Sequence, residues 1–179
     1  MSEAGLPRPK AGDHAPYYDR YISLVPEEQV LPVLAAQGEE LRRALAGVKE
    51  SEAGFRYAEG KWSIREVVGH LADTERVFAF RALSFARAEK AALPAFDENE
   101  YVRQASFDAT PLTALVEEFR AAREASLYLF RHLTAEAWLR GGVANAKPIV
   151  VRSLAYIMAG HVRHHLGTLR ERYHVGGAL

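Results

Sequence analysis

The sequence of 179 residues has no cysteine, no net charge and no long apolar run. The absence of cysteine excludes disulfides, thiolate metal sites and a nucleophilic thiol of the chain's own, so any metal must bind nitrogen and oxygen ligands. Because 23 basic residues balance 23 acidic ones, the chain lacks the electrostatic attraction that sustains non-specific binding to nucleic acids or anionic membranes. We therefore expect neither a nucleic-acid nor a membrane partner.

Targeting and membrane-spanning segments are also missing from the pattern. The first 16 residues combine prolines and charges and lack the apolar core that a signal peptide requires. The best apolar stretch, residues 149–160, is interrupted by Arg152 and is shorter than the roughly 18 residues of a transmembrane helix. We expect a cytoplasmic protein whose length suits one domain.

The chain divides into an N-terminal arm and one helical domain. Residues 1–24 contain three prolines up to position 16, followed by tyrosines, and predict an extended arm on the domain surface. Residues 25–175 form the single domain, in which apolar residues recur at helical spacing. Period-two strand patterns are absent, except that residues 148–151 could form a short extended lead-in. The four helical segments span residues 25–46, 63–88, 110–132 and 149–173.

Local signals refine these helices. Pro32 indicates that the first helix either begins near it or kinks there. Ser63 and Glu66 form a capping box at the start of the second helix. The linker 89–110 has no helical period, and so long a connection favours an up-down-down-up topology over an alternating one. The sequence therefore predicts an all-α four-helix bundle.

Two histidines occupy the apolar stripe of the last helix. His161 and His165 lie four residues apart on one face, together with Leu154 and Met158. Burying two imidazoles costs free energy unless their nitrogens find partners. Hydrogen-bonded core histidines and a metal site are both open interpretations. Val162 stands where the H-E-x-x-H motif has glutamate, so a zincin protease is not indicated.

A catalytic site with three protein ligands needs a third nitrogen. His70 flanks the apolar stripe of the second helix, at a depth compatible with the other two histidines. His164 lies at the edge of its stripe and ranks below them as a ligand. We interpret His14 in the arm, His132 at a helix end and His174 in the tail as non-ligands.

Three stretches together resemble the DinB/YfiT-like family of metalloenzymes. They are residues 61–73, KWSIREVVGHLAD; residues 160–166, GHVRHHL; and the linker residues 93–101, LPAFDENEY. The resemblance extends over about residues 17–173. It implies a four-helix bundle whose divalent ion, Zn²⁺, Ni²⁺ or Mn²⁺, is held by one histidine of the second helix and two of the fourth. In this sequence these are His70, His161 and His165. The resemblance also implies a homodimer.

The resemblance further implies the chemistry, since members with assigned activity are mostly transferases that use bacillithiol, mycothiol or glutathione, and others are described as hydrolases. Independently, three neutral imidazoles leave the ion's charge intact and would let it activate water or a thiol. A chain without cysteine must receive that thiol as a cosubstrate. We expect a transferase that uses a small thiol on a small-molecule substrate in detoxification or stress response. A metal-dependent hydrolase and a non-catalytic metal-binding or interaction bundle are the alternatives.

Three further side chains are candidates for supporting catalytic roles. Asp73 follows His70 by three residues and could orient an imidazole or receive a proton, or could be a solvated surface carboxylate. Asp97 and Tyr101 lie in the linker, where a lid over the metal site would originate. Ordinary loop packing is the competing interpretation for both.

Overall fold

Four long helices form the body of the structure, a computed structural model that describes residues 7–176. The helices in chain order are α1 (Asp19–Ile22), α2 (Val30–Leu45), α3 (Ile64–Ala86), α4 (Glu98–Ala105), α5 (Leu112–Arg131), α6 (Ala135–Leu139) and α7 (Val151–Tyr173). Two strands, β1 (Gly141–Ala144) and β2 (Lys147–Val150), complete it. The bundle consists of α2, α3, α5 and α7, which confirms the predicted fold class. Within residues 7–176, no helix has both the length and the apolar character needed to cross a bilayer.

Two apolar clusters at opposite ends of the bundle give the direction of each long helix. The first joins the starts of α2 and α7 to the ends of α3 and α5, through Val30, Leu154, Phe85 and Phe130. The second joins the end of α2 and the end of α7 to the starts of α3 and α5, through Leu45, Leu169, Ile64 and Leu115. Thus α2 and α7 run one way and α3 and α5 the other, which is the predicted up-down-down-up topology.

The linker between α3 and α5 crosses the length of the bundle, because α3 ends and α5 begins at opposite ends. The prediction of a linker without helix was wrong: it contains α4 and a 3-10 turn at Phe107–Ala109. Asp97 caps α4 by accepting hydrogen bonds from the backbone N–H groups of Asn99 (3.0 Å) and Glu100 (3.1 Å). An eight-residue helix is too short to show a clear apolar period.

A β-hairpin precedes α7, and the expectation that residues 141–144 contain no strand was wrong. β1 pairs antiparallel with β2, and the connecting residues Asn145 (φ 51°) and Ala146 (φ 56°) both lie in the left-handed region. This is the backbone of the two-residue turn that matches strand twist. A Cβ on Gly142 would overlap the ring of Phe85, so the glycine allows β1 to lie on α3.

Residues 7–24 differ from the predicted extended surface arm, and residues 1–6 of that arm lie outside the described residues. Residues 16–18 form a 3-10 turn and α1 follows directly, with Tyr21 and Ile22 buried in the core. The approach to α7 is close, since a Cβ on Gly160 would overlap the backbone carbonyl of Tyr21. The first bundle helix begins at Val30 rather than near residue 25, with Pro32 inside its first turn, where proline is tolerated.

A buried polar network ties the four bundle helices together. The Arg123 guanidinium of α5 donates to both carboxylate oxygens of Glu75 in α3, at 2.9 and 2.8 Å. It also donates to Gln37 Oε1 in α2 (2.6 Å), and the Gln37 amide donates in turn to the carbonyl of Ala159 in α7 (2.7 Å). Because Ala159 is two residues from His161, this network anchors α7 beside the histidine cluster.

Candidate metal centre

α3 and α7 bring the three predicted histidines together in the interior of the bundle. His161 and His165 project from α7 one turn apart, and His70 faces them from the antiparallel α3. His161 Nε2 lies 3.1 Å from His70 Nε2 and 3.0 Å from His165 Nε2. One ligand nitrogen of each residue lies within 4.8 Å of the other two. The structure therefore unites side chains that are 91 residues apart in the sequence.

These spacings fit a common metal ion. Imidazole nitrogens bind Zn²⁺ at roughly 2.0–2.1 Å, so two of them at a tetrahedral or octahedral angle stand about 2.9–3.4 Å apart. The Nε2 separations of 3.1 and 3.0 Å from His161 fall in that range. A search of residues 7–176 for three or more histidine or carboxylate side chains close enough to share one metal ion identifies this trio.

Burial holds the three imidazoles in their neutral form. Desolvation lowers the pKa of His70 to about 4. The pKa values of His161 and His165 fall well below the usual value, first through burial and then through the neighbouring histidines. A neutral imidazole offers a lone pair to a metal, whereas an imidazolium does not. The trio thus has its metal-binding protonation state at neutral pH.

A cavity of about 490 Å³ opens onto the histidines. Its volume is typical of sites for small molecules. Aromatic rings form much of its wall, at Tyr17, Tyr18, Tyr21, Trp62, Phe78 and Phe96. The Trp62 ring lies 4.6 Å from the His70 ring and 6.5 Å from that of His165, centroid to centroid. The histidines therefore form the base of a largely aromatic pocket.

The charged residues around the cavity are mostly basic. Arg20, Arg81 and Lys147 line it, against the single carboxylate of Glu98. Arg20 donates to the hydroxyls of Tyr17 and Tyr21 and lies over both rings, with its Cζ 3.9 and 4.7 Å from their centroids. The pocket thus favours a ligand with negative charge.

The three predicted supporting residues lie outside the cavity wall. Asp73 is half-buried on the side of α3 that faces Arg76 and Glu118, with its Oδ1 3.4 Å from the Arg76 guanidinium. Asp97 is exposed and caps α4, as described above. Tyr101 is exposed and packs against the Phe96 ring at 5.3 Å. Each of the three makes a contact of its own, and none belongs to the residues that line the cavity.

The other four histidines lie outside the trio. His164 lines the cavity and its ring is 5.6 Å from that of Tyr21. His14 is buried and contacts Asp19 Oδ1 at 2.8 Å and Ser153 Oγ at 3.3 Å. His132 and His174 cap the C-terminal ends of α5 and α7. None of the four belongs to the group with metal-ligand spacing.

The sequence prediction missed most of the cavity wall. Thr74 Oγ1 lies 3.3 Å from His70 Nδ1, and its position four residues after His70 was a usable signal. Tyr17 and Tyr21 carried no such signal, because their place in the wall depends on how the N-terminal segment packs onto α7. Trp62 precedes the second helix in the sequence, and the structure places its ring against two of the histidines.

Known proteins resemble this chain in sequence or in fold. A protein of Geobacillus thermodenitrificans (strain NG80-2), named "putative metal-dependent hydrolase", is 26% identical over 139 residues, covering 74% of this chain and 77% of its own length. YfiT from Bacillus subtilis, described as a probable metal-dependent hydrolase with an unusual four-helix bundle topology, matches with a TM-score of 0.75 and 20% identity, over 93% of this chain and 91% of YfiT.

The mycothiol-dependent maleylpyruvate isomerase has a similar fold, with a TM-score of 0.66 and 17% identity over 82% of this chain. The present chain spans 61% of that protein's length. The sequence model of the DinB superfamily matches residues 34–169, which include all four bundle helices except the start of α2 and the end of α7. This match confirms the resemblance seen in the sequence, and the chain belongs to the DinB superfamily.

Proposed function

We propose that the protein is a divalent-metal-dependent enzyme for a small-molecule substrate, with His70, His161 and His165 as the metal ligands. The observation that carries this proposal is the convergence of three neutral imidazole nitrogens at the base of a cavity of about 490 Å³. The Geobacillus relative carries the name "putative metal-dependent hydrolase" and YfiT is described as a probable metal-dependent hydrolase, and both descriptions support a metal-dependent function here.

Each part of the pocket has a task in this proposal. The three histidines would hold the ion at the wall of the cavity. A divalent ion bound there would supply Lewis acidity, which activates a water molecule or a thiol as a nucleophile. The rings of Trp62 and Phe78 exclude bulk water from the histidines and offer flat surfaces to an organic substrate. The chain's own residues thus bind and orient the substrate and shield it from bulk water.

We infer that the nucleophile is the thiol of a low-molecular-weight cosubstrate such as bacillithiol, transferred in detoxification or stress response. The chain has no cysteine of its own, and the structurally similar isomerase is mycothiol-dependent. A metal-dependent hydrolase is the second candidate, supported by the names of the Geobacillus relative and YfiT. An all-imidazole ligand set suits Zn²⁺ or Ni²⁺ better than Mn²⁺, which prefers oxygen. A homodimer and a cytoplasmic location stay predictions.

A nucleophile panel tests the proposal. Metal-loaded protein is incubated with 1-chloro-2,4-dinitrobenzene and one thiol at a time. The thiols are bacillithiol, mycothiol, glutathione and cysteine, and conjugate formation is followed by absorbance. We expect at least one thiol to react faster than its uncatalysed rate, and chelation of the metal to remove the acceleration. The same protein is assayed with p-nitrophenyl esters without thiol.

The results of that panel distinguish a thiol transferase, a hydrolase and a non-catalytic bundle. Metal-dependent ester hydrolysis without thiol acceleration would replace the transferase by the hydrolase. Absence of both activities across the panel would favour a non-catalytic metal-binding bundle. The His161→Ala variant serves as the matched control, because it removes the central ligand and should behave like the chelated protein in both assays.

A further inference from the structure

Three arginines are buried in the part of the chain that the structure describes: Arg81, Arg123 and Arg152. Arg123 pairs with Glu75 at 2.8 Å, and Arg152 pairs with Asp13 at 2.6 Å. No carboxylate of residues 7–176 lies within 4.0 Å of Arg81, although its exposed fraction is only 3%. Burying a charge without a counterion costs free energy of folding, so a buried charge in a natural protein is usually paired with an opposite charge or serves a function.

The neighbours of Arg81 leave its charge uncompensated. One guanidinium nitrogen donates to the carbonyl of Pro94 at 2.9 Å, and a carbonyl carries no net charge. The rings of Phe78 and Phe96 lie on either flank, with centroids 5.5 and 5.7 Å from Cζ. Burial lowers the pKa of Arg81, but a guanidinium remains protonated at neutral pH. These contacts hold the group in place without neutralising it.

Arg81 belongs to the same cavity as the candidate metal ligands. His70, Thr74, Phe78 and Arg81 are spaced by four, four and three residues along α3, and all four line the cavity. The Phe78 ring centroid lies 6.4 Å from that of His161 and 5.5 Å from Arg81 Cζ, which places the charge within about 12 Å of the His161 ring. One small molecule can therefore reach both.

We propose that Arg81 binds a carboxylate group of the substrate while the reacting centre of that substrate lies at the three histidines. This inference rests on the proposed function, since it specifies the substrate class of the same site. The planar fork of a guanidinium matches two carboxylate oxygens, and one buried positive charge balances one carboxylate. Arg20 and Lys147 reinforce the positive potential at the wall, and Glu98 lies more than 4.0 Å from Arg81.

The test compares benzoate with benzamide, a neutral molecule of the same shape, as ligands of the full-length protein. Dissociation constants are measured by NMR titration in metal-depleted and in metal-loaded protein. The metal-depleted form decides, because there a carboxylate cannot bind a metal ion. We expect benzoate to bind at least about 10-fold more tightly than benzamide, as charge-assisted hydrogen bonds allow. If the protein bound no metal, the proposed function would be wrong, but the comparison of benzoate with benzamide could still be made.

Three variants locate the effect. Arg81→Met should remove the preference for benzoate and leave benzamide binding unchanged, which a merely structural role would not produce. Arg81→Lys should retain part of the preference, because it keeps the charge and loses the fork. Arg172→Gln changes an exposed arginine that is not part of the cavity wall and should bind both probes like wild type.

Several results would overturn the proposal. These are a wild-type protein that binds benzoate no better than benzamide, or an Arg81→Met protein that keeps the preference. If Arg81→Met does not fold, the wild-type comparison and Arg81→Lys decide, and an Arg81→Lys preference equal to that of wild type contradicts recognition by the fork. Phenylphosphate bound more tightly than benzoate would refute the carboxylate assignment.

Discussion

Replacing His161 with alanine is expected to weaken divalent-metal binding by about 100-fold or more, because His161 stands between the other two ligands. Its Nε2 lies 3.1 Å from His70 Nε2 and 3.0 Å from His165 Nε2. The matched variant His164→Ala removes an imidazole from the same helix and the same cavity, but from outside the trio. It should keep the affinity within about threefold, well short of the loss of a metal ligand. Both are measured by titration of untagged protein with Zn²⁺ and Ni²⁺.

Circular dichroism provides the control for the histidine variants, since both proteins must retain the helical content of wild type for the comparison to hold. Equal losses of affinity in the two variants would contradict the assignment and would place His164 among the ligands. Retention of wild-type affinity by His161→Ala would remove the trio as the metal site altogether.

The buried ion pair of Arg123 and Glu75 is expected to contribute strongly to the free energy of unfolding. Arg123→Met should lower the free energy of unfolding by about 3–5 kcal/mol, because it leaves the Glu75 carboxylate buried without its counterion. Both side chains of the pair are 2% exposed, and the guanidinium also serves Gln37. The measurement is urea unfolding followed by circular dichroism.

A double variant separates the missing partner from the missing packing. Arg123→Met combined with Glu75→Leu removes both charges and should recover a large part of the loss, since replacing a buried ion pair with apolar side chains is often close to neutral. The exposed Arg131→Gln should change stability by less than about 0.5 kcal/mol. An Arg123→Met protein destabilised by less than about 1 kcal/mol would show that the network contributes little to the fold.

The long helices and the histidine trio were accessible from the sequence because both depend on helical spacing. Apolar positions along α3 and α7 identified their buried faces, and the capping box at Ser63 and Glu66 forms as predicted. His161 and His165 stood out because they interrupt an apolar stripe four residues apart. His70 completed the group because it lies deep inside a long amphipathic helix, whereas His132 lies at a helix end.

The short elements and the cavity wall were not accessible in the same way. The strands of the hairpin have four residues each, and Gly141 and Gly142 in β1 carry no side chain that could show alternation. α4 and α1 are likewise too short for a period to emerge. Tyr21 reaches the pocket only because Gly160 lets α1 approach α7, which is a tertiary contact without a local signature.

The burial of Arg81 and Arg123 could not be predicted from the spacing of apolar residues in the sequence. A charged residue in a helix is normally assigned to the solvated face, so Arg81 and Arg123 were not singled out from the sequence. The structure buries both and distinguishes them by their partners: Arg123 has Glu75, whereas Arg81 has the open cavity. Only the three-dimensional arrangement separates a structural ion pair from a candidate substrate-binding charge.

Metal binding by wild-type protein purified without a histidine tag shows whether the three histidines bind one divalent ion. The protein is stripped with a chelator, loaded with Zn²⁺ or Ni²⁺ and desalted, and its metal content and thermal midpoint are measured. We predict one equivalent of metal per chain and a thermal midpoint raised by several degrees, because the ion binds only the folded arrangement. Trace metal and an unchanged midpoint would show that the three histidines do not form a metal site.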